Sequence, residues 1–183
     1  VLVVEARKLG GTCLNEGCIP TKCLCKNANL LQELKEANTF GIEAGEVQFD
    51  LSKAIARKDG IVEQLASGIT TLMKTPGITL VQGKAKFVDQ HTIEVEGTQY
   101  SAPNIIIATG SVTKFLPIEG AHSDGVVTST EMLNLREVPQ RLCIIGGGVI
   151  GMEFASIFNA FGSQVTVVEF CKEILPAFDK DIA

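Results

Sequence analysis

The stretch that decides the fold is RLCIIGGGVIGMEFASIFNAFGSQVTVVEF, residues 141–170. A short apolar run is followed by a glycine cluster, then by a helical pattern and a second apolar run that ends in an acid. The order strand, glycine turn, helix, strand is typical of a βαβ unit, whose two strands lie parallel. The stretch therefore predicts an α/β fold.

The glycines of this turn have a nucleotide-binding spacing. Gly146 permits the tight turn, Gly148 lets a pyrophosphate approach the backbone, and Gly151 lets the helix pack closely on the strand. The helix N-terminus offers amide donors to phosphates. Glu169, at the end of the second strand, can accept hydrogen bonds from ribose hydroxyls and would repel a 2′-phosphate, which favours NAD over NADP. A plain glycine turn is the alternative.

A similar pattern opens the chain. Residues 1–6, VLVVEA, form an apolar run that ends in an acid, and they predict a buried parallel strand. Glu5 has the place that Glu169 has in the other unit. It indicates a second dinucleotide site, although a solvated strand end would look the same.

The remaining segments predict a mixture of helices and strands. We predict helices over residues 19–37 and from residue 50 to a Pro–Gly turn at 76–77. Residues 78–102 alternate with period two and predict short antiparallel strands. A buried strand is predicted at 104–111, followed by a looser connection at 112–140.

Composition excludes several classes of function. The chain has 183 residues, 45% hydrophobic and 20% charged, with a net charge of −5. The negative charge and the lack of a basic cluster argue against nucleic-acid and anionic-membrane partners. No apolar run approaches the roughly 20 residues of a membrane span. The chain lacks an initiator Met and begins within a strand pattern, so we expect it to be a piece of a longer protein.

The stretch GGTCLNEGCIPTK, residues 10–22, holds two cysteines, Cys13 and Cys18. Residues five apart on a straight helix are separated by about 7.5 Å along its axis, whereas a disulfide needs Cα atoms roughly 4.4–6.8 Å apart. The two thiols can therefore meet only if the backbone departs from a straight helix, which Asn15 and Gly17 permit.

Three uses of these thiols are open. A structural staple is disfavoured because a short loop gains little from closure. A metal site with Cys23 and Cys25 lacks the C-x2-C pairs usual for zinc and iron–sulfur ligation, and we predict no metal. A redox-active pair fits the spacing best. Pro20 places Cys18 near a helix start, which predicts a lowered pKa for its thiol.

Together, residues 10–22, the stretch IIIATGS at 105–111 and GGGVIGMEFASIF at 146–158 resemble the FAD-dependent pyridine nucleotide–disulfide oxidoreductases. The resemblance covers essentially the whole chain. GCIPTK and Glu169 favour the branch that oxidises dihydrolipoamide with NAD over the branch that reduces glutathione with NADP. Glu16 and Thr21 depart from the usual motif.

The resemblance implies Rossmann-like FAD- and NAD(P)-binding domains with parallel sheets and a small antiparallel β-meander, incomplete in this chain. It implies a partial FAD-binding domain at 1–111, a connecting segment at 112–140 and the first βαβ unit of an NAD-binding domain at 141–183. The FAD glycine loop, the rest of the NAD domain and a C-terminal dimerisation domain with a His–Glu pair would lie outside the chain. We expect the fragment alone to be inactive.

The resemblance also implies roles for individual residues. Cys13 would exchange with the substrate dithiol, and Cys18 would be the thiolate against the flavin. Lys22 would lie near the flavin N5 and pair with Glu153, close to the nicotinamide. The implied FAD contacts are Glu5, Gly10, Gly11, Thr12, Lys22, Thr109, Gly110 and Ser111. The implied NAD contacts are Gly146, Gly148, Val149, Gly151 and Glu169.

The implied activity is electron transfer from dihydrolipoamide through a Cys13–Cys18 disulfide and FAD to NAD+. The implied partners are the lipoyl domain of a 2-oxo acid dehydrogenase or glycine cleavage complex and a second copy of the full-length protein, in the bacterial cytoplasm or the mitochondrial matrix. The alternatives are a related reductase of another disulfide or of a metal ion, and a nucleotide-binding fragment without turnover.

Overall fold

Three small β-sheets and five α-helices make up the protein, whose computed structural model describes residues 1–183. The helices are α1 Gly11–Glu16, α2 Cys18–Glu36, α3 Leu51–Leu72, α4 Ser129–Met132 and α5 Val149–Phe161, with a 3-10 turn at Ala37–Phe40. The strands are β1 Leu2–Glu5, β2 Thr79–Gln82, β3 Ala85–Phe87, β4 Thr92–Val95, β5 Thr98–Ser101, β6 Arg141–Ile145 and β7 Gln164–Val168. None of the helices combines the length and apolarity that a membrane crossing requires.

The predicted βαβ unit is confirmed. Strands β6 and β7 pair in parallel, with Ile145 opposite Val168, and α5 connects them. The amide of Gly146 donates to the carbonyl of Val168 at 2.8 Å, which extends the pairing into the glycine turn. Helix α5 ends at Gly162, whose φ of 108° is the left-handed conformation common after a helix.

The third glycine of the turn sits where no side chain fits. A Cβ at Gly151 would lie 2.0 Å from the carbonyl oxygen of Gly146 and 3.3 Å from Cγ2 of Ile144. The first turn of α5 therefore packs directly on the backbone of the glycine turn, as the spacing predicts.

Strand β1 pairs in parallel with β2, with Val3 opposite Leu80. The prediction that residues 78–83 join the antiparallel strands is wrong, because the long helix α3 returns the chain to the same end of the sheet before β2 begins. The prediction that β1 is buried is also wrong. All four of its residues are half-buried, since a sheet of two strands covers little of either face.

The predicted antiparallel meander is confirmed for the three strands that follow β2. Strands β3, β4 and β5 pair in chain order, with Glu94 opposite both Lys86 and Gln99. Val95 is the buried residue of this sheet, at 2% exposure.

The predicted buried strand at 104–111 is wrong. These residues form no strand, and Ile106 and Ile107 are 91% and 69% exposed. No backbone hydrogen bond involves residues 104–115. An apolar run needs a neighbouring strand to satisfy its backbone groups, and none lies beside this one.

One hydrophobic core joins the two ends of the chain. Leu24 of α2, Ile55 of α3 and Phe158 of α5 are each fully buried within it. Phe49, just before α3, stacks on Phe161 of α5 with ring centroids 4.4 Å apart. The residues predicted to form separate nucleotide-binding regions thus share a core.

The segment predicted as a loose connection, 112–140, contributes to this core. It contains α4, which begins with a capping box formed by Thr128 and Glu131, and it buries Met132 and Leu133. The side chain of Asn134 accepts a hydrogen bond from the buried ammonium of Lys58 on α3 at 3.1 Å. The segment is therefore packed against α3 rather than free.

Replacing Leu24 by Ala should lower the free energy of unfolding by about 2–5 kcal/mol, because the side chain is wholly buried and leaves a cavity. Leu30→Ala on the same helix is the matched control. Leu30 is 47% exposed, so its loss should cost less than about 1 kcal/mol. Urea unfolding of the intact protein measures both, and equal losses would contradict the assigned core.

Replacing Gly151 by Ala should lower the free energy of unfolding by about 1–3 kcal/mol, because the new methyl group would overlap the Gly146 carbonyl. Gly68→Ala in α3 is the control, since a Cβ there meets no atom within 4 Å. That change should stabilise the protein by about 0.4–1 kcal/mol. Opposite signs are expected, and a stabilising Gly151→Ala would rule out the close approach.

Candidate active site

The cysteine pair lies at a break between two helices. Helix α1 ends at Glu16 and α2 begins at Cys18, and Gly17 between them has φ −141° and ψ −111°. The predicted departure from a straight helix is confirmed. A Cβ at Gly17 would lie 3.1 Å from the Thr12 carbonyl oxygen and 3.2 Å from the Cys13 Cα. The small residue therefore lets α1 fold closely against the start of α2.

The two thiols are free and exposed, and they lie on either side of the break at Gly17. The side chain of Cys13 is the main cause of the raised pKa of Cys18, and desolvation and the charge of Cys13 act in the same direction. Its own backbone amide and Lys22 lower the pKa but do not offset these effects. The prediction of a lowered pKa is wrong for the reduced pair, because the neighbouring thiol outweighs the helix start.

Lys22 connects the cysteine helix to the helix that follows the glycine turn. It lies one turn after Cys18, and its Nζ donates a hydrogen bond to Oε1 of Glu153 on α5. This hydrogen bond is the main cause of the raised pKa of Lys22. The neighbouring Thr21, one of the departures in the motif, is buried and donates to the Gly17 carbonyl at 2.7 Å.

The other two cysteines of α2 lie on different faces. Cys23 is buried in the interior, and Cys25 is half-buried. Burial raises the pKa of Cys25, and the charge of Glu153 adds to that effect. Sequence analysis did not place Cys25 near Lys22 and Glu153. The spacing of Cys18, Lys22 and Cys25 nevertheless puts all three on one side of a helix. No group of three or more His, Cys, Asp or Glu side chains is arranged to hold a metal ion.

The glycine turn and Glu169 are adjacent. The Glu169 carboxylate accepts hydrogen bonds from the amides of Cys171, at 2.7 Å, and Gly147, at 2.5 Å. In that order of importance, these two amides lower the pKa of Glu169 and keep it ionised. The carboxylate is thus held at the end of β7, over the turn between β6 and α5.

The start of α5 is open to a ligand. Gly148 caps the helix without a side-chain hydrogen bond, and a Cβ there would meet no atom within 4 Å. Val149 is 52% exposed beside it. The carbonyl of Gly147, by contrast, already has a partner, because it accepts a hydrogen bond from the Leu175 amide at 2.8 Å. Free amides at an open helix start fit a pyrophosphate.

The residues expected to contact FAD form a second group. Glu5 ends β1 and accepts a hydrogen bond from the Arg7 amide at 2.8 Å. Gly10 and Gly11 have φ values of 105° and 68°, which turn the chain into α1. Thr12 follows on the exposed side of that helix.

The structure brings one of the later glycines to this group. A Cβ at Gly110, whose φ is 73°, would lie 3.9 Å from Oγ1 of Thr12. Thr109 and Ser111 flank it and are exposed. The two predicted FAD-contact segments are therefore neighbours although about a hundred residues separate them in the sequence.

Replacing Cys13 by Ala should lower the pKa of Cys18, because it removes the side chain that raises it most. The pH dependence of Cys18 alkylation in the reduced protein, read by peptide mass spectrometry, measures the change. Cys143→Ala on β6 is the control and should leave the Cys18 profile in place. An unchanged or raised pKa in Cys13→Ala would contradict the contact.

Comparison with known proteins identifies the relatives of the chain. A family model described as pyridine nucleotide-disulphide oxidoreductase matches residues 1–183. Dihydrolipoyl dehydrogenase of Acholeplasma laidlawii is 45% identical over 187 residues, which cover 100% of this chain and 56% of the relative. Dihydrolipoyl dehydrogenase of Bacillus subtilis (strain 168) is 44% identical over 189 residues, covering 100% of this chain and 41% of the relative.

A solved structure has the same fold. The Cu(II) complex of the HOCl-induced flavoprotein disulfide reductase RclA from Escherichia coli superposes with a TM-score of 0.83 at 38% identity, covering 100% of this chain and 39% of that chain. This chain thus spans about half or less of the length of these bacterial relatives. With a family match along its whole length, the chain belongs to the pyridine nucleotide-disulphide oxidoreductases.

Proposed function

We propose that the intact protein is a dihydrolipoamide dehydrogenase, which oxidises dihydrolipoamide through a Cys13–Cys18 disulfide and FAD and reduces NAD+. One observation carries the proposal. Cys13 and Cys18 lie on either side of the break between α1 and α2, and Lys22, one turn after Cys18, pairs with Glu153 on the helix that begins at the glycine turn. A thiol pair and a dinucleotide turn thus belong to one packed unit. The relatives named dihydrolipoyl dehydrogenase support the choice of substrate.

The chain has residues suited to both cofactors. The open start of α5 and the ionised Glu169 fit the pyrophosphate and the adenosine ribose of NAD. Glu5 at the end of β1, and Gly10–Thr12 at the start of α1 with Gly110 beside Thr12, would fit FAD. When bound, FAD and NAD supply the electron-pair and hydride chemistry.

The cysteine pair would carry out thiol–disulfide exchange. A substrate thiolate attacks Sγ of Cys13, the S–S bond breaks, and Cys18 leaves as a thiolate. The second substrate thiolate then attacks the substrate sulfur that is bonded to Cys13. This step releases Cys13 as a thiolate and the substrate as a cyclic disulfide. Two electrons pass to the protein, and both protons of the dithiol go to solvent or to a nearby base. Lys22, which lowers the pKa of Cys18, stabilises the leaving thiolate.

Glu153 has a supporting role in this scheme. Its carboxylate holds the Lys22 ammonium, which is 62% exposed and would otherwise be free to turn into solvent. The pair keeps the positive charge within reach of Cys18 and raises the pKa of Lys22, so the charge persists at neutral and alkaline pH. Val149, exposed at the start of α5, would face the nicotinamide.

The wider organisation follows from the same assignment. Residues 1–111 would belong to an FAD-binding domain, 112–140 to the connection and 141–183 to the NAD-binding domain. The intact protein would be a homodimer and would serve the lipoyl domain of a 2-oxo acid dehydrogenase or glycine cleavage complex. Because the relatives are bacterial, a bacterial cytoplasm is the proposed compartment.

A second candidate is a metal-ion reductase of the same family. It is favoured by the similarity to a flavoprotein disulfide reductase whose structure is a Cu(II) complex. Exposed, adjacent thiols such as Cys13 and Cys18 are soft ligands that suit copper. In this case the thiol pair would pass electrons to the metal ion instead of accepting them from a dithiol.

The test is an assay of the intact protein with dihydrolipoamide and NAD+, followed as NADH absorbance. Wild-type protein should form NADH, and Cys13→Ser should abolish its formation while the yellow flavin stays bound. Cys143→Ser, which alters another exposed cysteine outside the site, should keep the wild-type rate.

The alternatives give different results. NADH-driven formation of Cu(I) without dihydrolipoamide oxidation would favour the metal-ion reductase. NADPH-driven reduction of another disulfide would favour a sister enzyme. Bound FAD and NAD with no turnover on any of these substrates would mean a nucleotide-binding protein and would overturn the proposal.

A further inference from the structure

Helices α1 and α2 are separated by the break at Gly17. The direction of α1 relative to α2 is therefore not set by a continuous helical backbone. Helix α1 has six residues and buries none of them. Hydrophobic packing therefore contributes little to holding Cys13, on α1, against Cys18 at the start of α2. Cys13 nevertheless lies close to the start of α2, since a Cβ at Gly17 would be 3.2 Å from the Cys13 Cα. Other interactions must orient α1.

Asn15 provides the first tether. Its side-chain amide donates to the carbonyl of Leu9 at 3.0 Å and to the carbonyl of Gly11 at 2.9 Å. Leu9 lies in the turn before α1 and Gly11 is the first residue of the helix, so the amide ties the last turn of α1 back to its start. The contact with Leu9 is partly buried, which shields it from competition by water.

Glu16 provides the second tether. Its carboxylate forms an ion pair with the guanidinium of Arg7, and its side chain is only 23% exposed. Arg7 is itself fixed at the end of β1, because its amide donates to Glu5 and its carbonyl accepts from the side chain of Gln82 on β2 at 3.4 Å. The end of α1 is therefore attached to the β1–β2 sheet.

We propose that Asn15 and the Arg7–Glu16 ion pair are positioning residues for the cysteine pair. They hold α1 against the start of α2 so that Cys13 stays beside Cys18, which raises the effective concentration of one thiol at the other. The inference rests on the proposed redox function of these cysteines. Glu16 departs from the usual motif, and its ion pair with Arg7 gives this departure a positioning role.

The effective concentration of Cys13 at Cys18 is measured by the thiol–disulfide equilibrium between the cysteine pair and a reference dithiol. Dithiothreitol gives up two electrons and two protons and becomes a cyclic disulfide, while the Cys13–Cys18 bond is broken and both sulfurs become thiols. A looser α1 makes ring closure less favourable, so less dithiothreitol is needed to reduce the pair. The equilibrium constant for reduction should therefore rise when a tether is lost.

Loss of the Asn15 contacts and loss of the Arg7–Glu16 ion pair should change the equilibrium constant for reduction by different amounts. Asn15→Ala removes two hydrogen bonds and should raise the constant about tenfold, which is about 30 mV for a two-electron couple. Arg7→Gln and Glu16→Gln remove one exposed ion pair and should each raise it by about two- to fivefold. Arg7→Lys keeps the positive charge and should stay near the wild-type value.

The experiment titrates the intact protein with mixtures of reduced and oxidised dithiothreitol and traps free thiols with a maleimide. Mass spectrometry of the peptide with Cys13 and Cys18 gives the fraction reduced. Asn29→Ala and Glu33→Gln, exposed positions of α2, are the matched controls and should leave the equilibrium unchanged. Thermal unfolding of each variant is measured alongside, because a purely structural role would lower stability without a shift in the potential.

The outcomes separate this inference from the proposed function. If wild-type protein forms no Cys13–Cys18 disulfide at any ratio, the redox function itself is wrong. If the wild type forms it and Asn15→Ala, Arg7→Gln and Glu16→Gln titrate like the wild type, the positioning role is wrong. If a variant unfolds, the remaining two decide, because the two tethers are independent contacts.

Discussion

The packing of α2 against α5 is the interaction on which the rest of the structure depends. Leu24 and Phe158 are buried where the two helices meet, and the Lys22–Glu153 ion pair lies at the same junction. Because α2 begins at Cys18 and α5 begins at the glycine turn, this single contact fixes the distance between Cys18 and the nucleotide turn. Both elements are therefore attached to one core.

Two glycines make such close contacts possible, each in a different way. Gly151 lets α5 start directly on the Gly146 carbonyl, and Gly17 lets α1 fold back on α2. In both places the neighbour is backbone, which cannot move aside as a flexible side chain could. Substitution there would separate the helices whose approach creates the site. Gly60 and Gly68 on α3 have no such neighbours and are positions where the helix only tolerates glycine.

Much of the fold could be predicted from the sequence, because periodicity and turn residues act over short distances. The unit at 141–170, helices α2 and α3 and the meander were all predictable in this way. The parallel pairing of β2 and the absence of a strand at 104–111 were not. Whether a segment forms a strand, and whether that strand is parallel or antiparallel, depends on the strand that pairs with it. A run such as IIIATGS has the same composition whether or not a pairing strand lies beside it. Helix α4 is too short for periodicity to reveal.

The sequence by itself determined where the chain turns, which residues can approach closely and which two cysteines are separated by only four residues that include a glycine. Its resemblance to a family also indicated the pairing of Lys22 with Glu153, 131 residues apart. Only the tertiary structure decided that Arg7 pairs with Glu16, that Thr12 meets Gly110, and that the pKa of Cys18 is raised rather than lowered. A local pattern fixes the backbone over a few residues. Which side chains then meet, and in which electrostatic surroundings, depends on how separate elements pack.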